Sequence, residues 1–127
     1  MGNIKLLDCT LRDGGYVNNW NWGKETIECS IKQLNDTGVE IIEVGFIRDV
    51  EYDDNVSVYS SMDQVKKVIG KKKIGVEYAV MAEISNPIPL SMIDDADADG
   101  PDIIRVICWK TKHTPEGKVI DALHESY

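Results

Sequence analysis

The segment VEIIEVGFI, residues 39–47, predicts the fold more clearly than any other part of the chain. It is short and rich in Val, Ile and Phe, which is typical of a buried β-strand. Glu43 in its middle is the exception, because a charged side chain is costly to bury unless it is paired or hydrogen-bonded. The segment therefore predicts a core strand and, for Glu43, a partner inside the protein.

Strand and helix patterns alternate on both sides of this segment. Strands that alternate with helices form parallel sheets, because each crossover returns the chain in the same direction. The sequence therefore predicts one domain over residues 1–127 with an α/β fold built from βα units. The predicted strands are residues 4–11, 39–47, 73–83 and 102–110, and the stretch 48–60 is predicted as a polar loop. The predicted helices cover 24–37, 61–70, a short piece near 90–96 and a last helix that begins at Thr114-Pro115.

The residue alternation within the strands separates two faces of the predicted sheet. One face carries charges at Glu43, Glu77 and Arg105, and it also includes Ile47. The opposite face, which includes Phe46, is apolar and suits packing against helices. In a barrel the charged faces meet at one axis, where Glu and Arg side chains neutralise one another. We therefore predict a parallel (βα)4 half of a TIM barrel, and a purely structural ion pair accounts for the charges equally well.

The composition limits the partners of the chain. The net charge of −8 argues against nucleic acid and anionic membranes as partners. No apolar run approaches the roughly 18 residues of a membrane span, and the N-terminus lacks the pattern of a signal peptide. The three cysteines are an odd number at wide spacing, which favours a reduced, cytoplasmic protein.

The segment LLDCTLRDGGY, residues 6–16, is the best candidate for a functional site. Its polar residues follow the first predicted strand, and active sites of TIM barrels lie at the carboxyl ends of the strands. Arg12 is a permanently charged fork of donors that suits a carboxylate or an enolate oxygen, and Asp13 is a hard oxygen ligand that suits Mg or Mn. Gly14 and Gly15 let the backbone approach a ligand closely. An ordinary turn with a surface ion pair is the alternative for these residues alone.

The same segment resembles the first-strand signature of the metal-dependent aldolase and lyase barrels. This family includes 4-hydroxy-2-oxovalerate aldolase, hydroxymethylglutaryl-CoA lyase and isopropylmalate synthase. GVEIIEVGFI and PDIIRVICWK resemble the second and fourth strands of these barrels. The resemblance is strongest to the aldolase branch and covers only the first half of the family's domain. A barrel of this type has about 250 residues, so we expect a truncated barrel that is incomplete as an enzyme on its own.

The resemblance implies a divalent-metal-dependent aldolase or lyase that acts on a small 2-oxo acid. In this family a divalent cation, Mn or Mg, chelates the oxo acid, and retro-aldol cleavage of a 4-hydroxy-2-oxo acid releases pyruvate and an aldehyde. Carried over to this chain, Asp13 would bind the metal and Arg12 would bind substrate and stabilise enolate charge. Glu43 and Arg105 match interior polar positions and are the further candidates for substrate binding.

The sequence departs from the family pattern at two points. The aldolase branch often has a proton-transferring histidine near the first-strand glycines, and this chain has Tyr16 in that neighbourhood. Tyr16 is therefore the catalytic candidate there, although a tyrosine with an ordinary pKa near 10 is a poor base. The family also completes its metal site with a His-x-His pair, which this chain lacks, and neither His113 nor His124 is expected to be a metal ligand.

A half barrel leaves unpaired sheet edges and an open apolar interior, and such surfaces promote association. We therefore expect a homo-oligomer that forms through exposed sheet edges or through the open barrel face. One alternative to an enzyme is a non-catalytic half-barrel, an assembly or regulatory module that keeps the fold without the chemistry. The other is an open flavodoxin-like sheet that binds a small anion where the strand order reverses.

Overall fold

The computed structural model describes residues 3–83 and 93–107. The last predicted helix, with His113 and His124, lies outside these residues, and so do parts of the segments predicted at 90–96 and 102–110. The elements in chain order are β1 (Leu7–Asp8), a 3-10 turn (Gly14–Val17), α1 (Lys24–Asn35), β2 (Ile41–Ile47), β3 (Val58–Tyr59), α2 (Met62–Ile69), β4 (Glu77–Glu83) and β5 (Ile103–Ile107). The alternating α/β pattern is therefore confirmed for the described part of the chain, while residues 93–96 form no helix.

The strands form a parallel sheet with the order β1-β2-β4-β5, and the short β3 also pairs with β2. Because β4 runs along one side of β2, β1 and β3 share the other side. The order follows the chain without a reversal among the described strands. The flavodoxin-like alternative, which requires such a reversal at its binding site, is therefore wrong for this sheet.

Both described helices cover the same face of the sheet. The apolar stripes of α1 and α2 meet the apolar face of β2 and β4 in one continuous core, and an amphipathic helix is stabilised mainly by such burial. A doubly wound sheet would carry helices on both faces. The buried residues of this core on the helices are Ile27, Ile31, Met62, Val65 and Ile69, and those on the sheet include Ile42, Val44, Tyr78 and Val80.

Side-chain and glycine caps define both ends of α2. Ser61 caps the helix, and its hydroxyl accepts a hydrogen bond of 3.4 Å from the backbone N–H of Gln64. The Gln64 side chain reaches back to the N–H of Ser60 at 2.8 Å rather than to that of Ser61, so the capping box is displaced by one residue. Gly70 ends the helix with a φ of +62°.

A β-bulge at Gly45 divides β2 into two parts. The pairing with β4 shifts between Glu43 and Phe46, and Gly45 has a φ of +148°. The extra residue reverses the side-chain alternation beyond it. Phe46 consequently packs with Met81 on the face that carries Glu43, and Ile47 joins the helix-side core. The face assignments predicted for Phe46 and Ile47 are therefore wrong, because strict alternation does not anticipate a bulge.

The segment 48–60 is not only a loop, because it contains β3. Val58 and Tyr59 pair in parallel with the end of β2, and the Tyr59 hydroxyl donates a hydrogen bond of 3.0 Å to the carbonyl of Val44. The backbone N–H of Phe46 donates to the carbonyl of Ser57 at 3.1 Å. The bulge and β3 therefore form one unit at the carboxyl end of β2.

Replacing Gly45 with Ala should destabilise this unit strongly. A Cβ at Gly45 would lie 2.1 Å from the backbone oxygen of Ser57, and its φ lies in the region that L-residues avoid. We expect Gly45→Ala to lower the free energy of unfolding by about 3 kcal/mol, measured by urea denaturation followed by circular dichroism.

Gly38→Ala is the matched control for this substitution. Gly38 has a φ of +85°, and nothing lies within 4 Å of an added Cβ. The free energy of unfolding of this control should therefore fall by only about 1 kcal/mol, which is the conformational cost of a non-glycine residue at positive φ. Equal losses in the two variants would show that contact with Ser57 does not constrain position 45.

Candidate functional site

The sheet face opposite the helices carries the polar side chains. The register sets Glu43 beside Ala79, Phe46 beside Met81, and Met81 beside Arg105. Arg105 therefore starts one layer nearer the carboxyl ends of the strands than Glu43, and its side chain reaches back across β4. This geometry brings the charges of two non-adjacent strands together.

Glu43 is fully buried and accepts hydrogen bonds from two arginines, and we call this group the Glu43 triad (Glu43, Arg12 and Arg105). Arg12 donates its Nε–H to Oε1 at 2.6 Å, and Arg105 Nη1 lies 3.0 Å from Oε1 and 2.9 Å from Oε2. The predicted neutralisation of Glu43 by Arg105 is confirmed. The contact with Arg12 was not predicted, because the alternation of side chains along a strand does not apply to a residue in a loop.

The charge on Arg12 is secured by this contact. Burial alone would lower the pKa of the guanidinium, but the hydrogen bond and the charge of Glu43, with a further contribution from Asp13, give a net rise in the pKa. The Arg12 side chain is only 13% exposed. The site therefore contains a permanently charged, weakly hydrated guanidinium that is fixed by a buried carboxylate.

The loop that carries Arg12 is fixed by backbone turns and by a tryptophan. The backbone N–H groups of Arg12 and Asp13 donate to the Cys9 carbonyl at 3.1 and 2.7 Å, which ends β1 earlier than predicted. The Trp20 indole N–H donates to the Arg12 carbonyl, and its ring fills the space where a Cβ of Gly15 would lie. Trp20 itself has a φ of +58°, and non-glycine residues with positive φ tend to cluster at functional sites.

Ser57 joins this loop to β3. Its hydroxyl donates to the Leu11 carbonyl at 2.6 Å and accepts from the Trp22 indole N–H at 3.0 Å, and its backbone N–H donates to the Trp20 carbonyl. Ser57 is fully buried. Sequence reasoning missed this residue, although the alternation Val-Ser-Val-Tyr at 56–59 is the strand signal that could have revealed it.

Asp13 and Tyr16 lie on the rim of the site. The Asp13 side chain is 61% exposed, and its Oδ1 lies 3.2 Å from Nη1 of Arg12. Tyr16 is exposed, and its ring packs edge-on against Trp20 with centroids 4.7 Å apart. The structure thus brings Arg12, Asp13, Glu43 and Arg105 into one connected group, while Tyr16 contacts this group through Trp20.

The described residues supply little of a complete metal site. Within residues 3–83 and 93–107, no group of three or more His, Cys, Asp or Glu side chains could hold a metal ion. The Glu43 carboxylate is occupied by two arginines, so Asp13 is the carboxylate of this group that remains open to a cation. One carboxylate with ligand oxygens and water is a common mode of Mg²⁺ binding. A cation at this place would therefore have one carboxylate of this group, Asp13, and would need its other ligands from a bound molecule and water.

Arg48 and Phe46 complete the carboxyl end of the sheet and were not singled out from the sequence. Arg48 directly follows β2, and its guanidinium carbon lies 4.0 Å from the centroid of the Phe46 ring. Its Nη2 lies 2.7 Å from a carboxylate oxygen of Glu83 at the end of β4. Neither contact is visible in the sequence, because the bulge decides which face Phe46 occupies.

Comparisons with protein-family models, with curated proteins and with solved structures found no match for this chain. The resemblance of residues 6–16 to the metal-dependent aldolases and lyases therefore stays a prediction. Across the part of the chain that the structure describes, no helix has the length and apolar character needed to cross a membrane.

Substituting Glu43 tests whether the triad is a buried ionic group. Glu43→Gln leaves two guanidinium groups without their shared charge, and removing one partner of a buried ion pair is strongly destabilising. Since Arg12 is 13% exposed and Arg105 is 38% exposed, we expect a loss of about 3 kcal/mol in the free energy of unfolding, measured by chemical denaturation.

Asp13→Asn serves as the neighbouring control. Asp13 contacts the same Arg12 but is mostly exposed, so its removal should cost less than about 0.5 kcal/mol. A loss in Glu43→Gln as small as that in Asp13→Asn would show that water already screens the triad.

Proposed function

We propose that this chain binds a 2-oxo acid together with a divalent cation, Mn or Mg, as part of a metal-dependent aldolase or lyase with a (βα)4 half of a TIM barrel. The observation that carries the proposal is the Arg12 guanidinium, which the buried Glu43 holds through its Nε–H. Its remaining N–H groups are not all used within the described residues, and Asp13 lies next to them. A fixed cationic donor beside an open carboxylate suits a ligand that is itself an anion bound to a metal.

The proposed reaction is the retro-aldol cleavage of a 4-hydroxy-2-oxo acid. The 4-hydroxyl group loses its proton as the C3–C4 bond breaks, C4 leaves as an aldehyde, and the electron pair moves to the 2-oxo oxygen as an enolate. Protonation at C3 then gives pyruvate. The reaction needs stabilisation of negative charge on one oxygen and a group that moves a proton.

The residues of the site divide these tasks. Arg12 donates hydrogen bonds to the enolate oxygen, and Glu43 keeps the guanidinium in position. Asp13 holds the cation, which supplies Lewis-acid polarisation of the 2-oxo group when bound. Arg105 contributes positive charge for the substrate carboxylate, since its side chain is 38% exposed. Tyr16, on the same loop as Arg12, is the candidate for proton transfer.

Binding of Mn²⁺ with oxalate tests this proposal without an activity assay. Oxalate resembles the planar enolate of pyruvate, and Asp13 alone offers few ligands, so Mn²⁺ should bind weakly alone and at least tenfold more tightly with oxalate. Isothermal titration calorimetry measures both affinities. Asp13→Asn should abolish the oxalate-dependent gain.

Asp54→Asn is the control for the loss of one negative charge. Asp54 is an exposed carboxylate on a different loop, where it lies 3.9 Å from the Lys24 ammonium. This variant should bind Mn²⁺ and oxalate as the unsubstituted chain does. An oxalate effect that is absent, or that survives in Asp13→Asn, would contradict the proposed site.

A non-catalytic assembly module is the second candidate, and the edge strand β5 favours it. Among the described strands β5 pairs only with β4, and all its residues are half-buried. An unpaired strand edge is a template for another chain. Under either function we propose a cytoplasmic homo-oligomer that forms through such edges or through the open barrel face.

Light scattering after size-exclusion chromatography measures the assembly directly. We expect a mass of at least twice the 14.2 kDa of the chain at micromolar concentration. A well-folded monomer under these conditions, verified by circular dichroism, would rule out assembly through the sheet edges.

A further inference from the structure

Arg48 is a second fixed guanidinium at the carboxyl ends of the strands. Its side chain is only 17% exposed, and its guanidinium carbon lies 4.0 Å from the Phe46 centroid and 5.2 Å from that of Trp20. Stacking on two aromatic rings keeps the side chain in one orientation and limits its hydration. Arg48 is therefore pre-organised in the way that anion recognition requires.

The hydrogen bonds of Arg48 are only partly satisfied. Its Nη2 pairs with one oxygen of Glu83 at 2.7 Å, while its Nε is buried and has no partner within the described residues. A buried donor without a partner is unfavourable, and guanidinium groups favour bidentate contacts with carboxylates. The side chain therefore has unused capacity for an anionic ligand.

Arg48 and Arg12 both lie close to the ring of Phe46. The Arg12 guanidinium carbon lies 5.9 Å from the same ring centroid over which Arg48 stacks at 4.0 Å, so the two carbons are within about 10 Å of each other. A guanidinium carbon lies about 4 Å from the carbon of a carboxylate that it binds. A short dicarboxylate, whose ends are separated by a few carbon atoms, can therefore contact both arginines.

The charges at this end of the sheet favour the same kind of ligand. Three guanidinium groups and three carboxylates make the set neutral. A bound divalent cation would therefore leave two excess positive charges, which a ligand with two negative charges would balance. The six groups are Arg12, Arg48 and Arg105 with Asp13, Glu43 and Glu83.

We propose that Arg48 binds a second carboxylate of the substrate, so that the site selects 2-oxo acids with an acidic group at the far end of a short chain. This inference rests on the proposed function, because it assumes that the 2-oxo acid group lies at Arg12 and Asp13. The incoming carboxylate competes with Glu83 for the guanidinium and satisfies donors that Glu83 leaves open.

A matched pair of ligands tests the inference. 2-Oxoglutarate and 2-oxovalerate have the same chain length, and a methyl group in 2-oxovalerate replaces the second carboxylate of 2-oxoglutarate. With saturating Mn²⁺, calorimetric titration should give at least tenfold tighter binding of 2-oxoglutarate. Equal affinities would overturn the role of Arg48 and leave the proposed function intact, whereas binding of neither acid would overturn both.

Substitution of Arg48 identifies the residue responsible. In Arg48→Met the affinity for 2-oxoglutarate should fall to that for 2-oxovalerate, and Arg48→Lys should restore part of the preference through its charge. Lys71→Met, at an exposed lysine on the turn after α2, should retain the full preference. A preference for 2-oxoglutarate that persists in Arg48→Met would contradict the inference. If that variant does not fold, the ratio of the two affinities in the unsubstituted chain decides the question.

Discussion

The carboxylate of Glu43 between two guanidinium groups is the interaction on which the interior of this protein depends. A glutamate in the middle of the central strand could not be buried without compensation, and a single exposed arginine would compensate it poorly. On the same face of the sheet, Arg12 approaches from the loop after β1 and Arg105 from β5, and together they satisfy both carboxylate oxygens. The loop after the first strand and the last described strand are thereby joined through one side chain of β2.

The parts of the chain around this triad serve to hold Arg12 in position. The bulge at Gly45 turns Phe46 toward the polar face, and β3 then follows the end of β2 closely enough for Ser57 to tie down the neighbouring loop. Trp20 packs against Phe46 with ring centroids 5.5 Å apart and donates to the Arg12 carbonyl. Packing and polar contacts thus both fix the backbone that carries Arg12.

The sequence allowed the parallel α/β sheet, the two described helices and the burial of Glu43 to be predicted, because each follows from a local period or from the cost of an isolated charge. It also identified Arg12 and Asp13 as neighbours at the end of the first strand. It did not predict the contacts of Arg48, whose environment depends on the face that Phe46 occupies. One extra residue in β2 decides that face, and periodicity averaged over a strand does not detect a single bulge.

The alternation of residues in the strands therefore predicts one of the two partners of Glu43 and not the other. The alternation placed Arg105 on the same face of the sheet as Glu43, since both lie in strands and Glu43 precedes the bulge. The second partner, Arg12, lies in a turn whose course is set by hydrogen bonds to Cys9 and by the ring of Trp20. These contacts exist only in the folded protein. The chemistry of Arg12 suits a buried carboxylate, but the sequence alone does not show that Glu43 is its partner.

The span of chain that Glu43 connects also bears on how the protein is made. Its partners are 31 positions before it and 62 positions after it. During synthesis from the N-terminus, Arg12 is already present when Glu43 leaves the ribosome, whereas Arg105 arrives only after β4 has been completed. Contacts of such large sequence separation carry a loop-closure cost that slows folding. Until the β5 segment has been synthesised, Arg12 is the only one of the two guanidinium partners that Glu43 can meet.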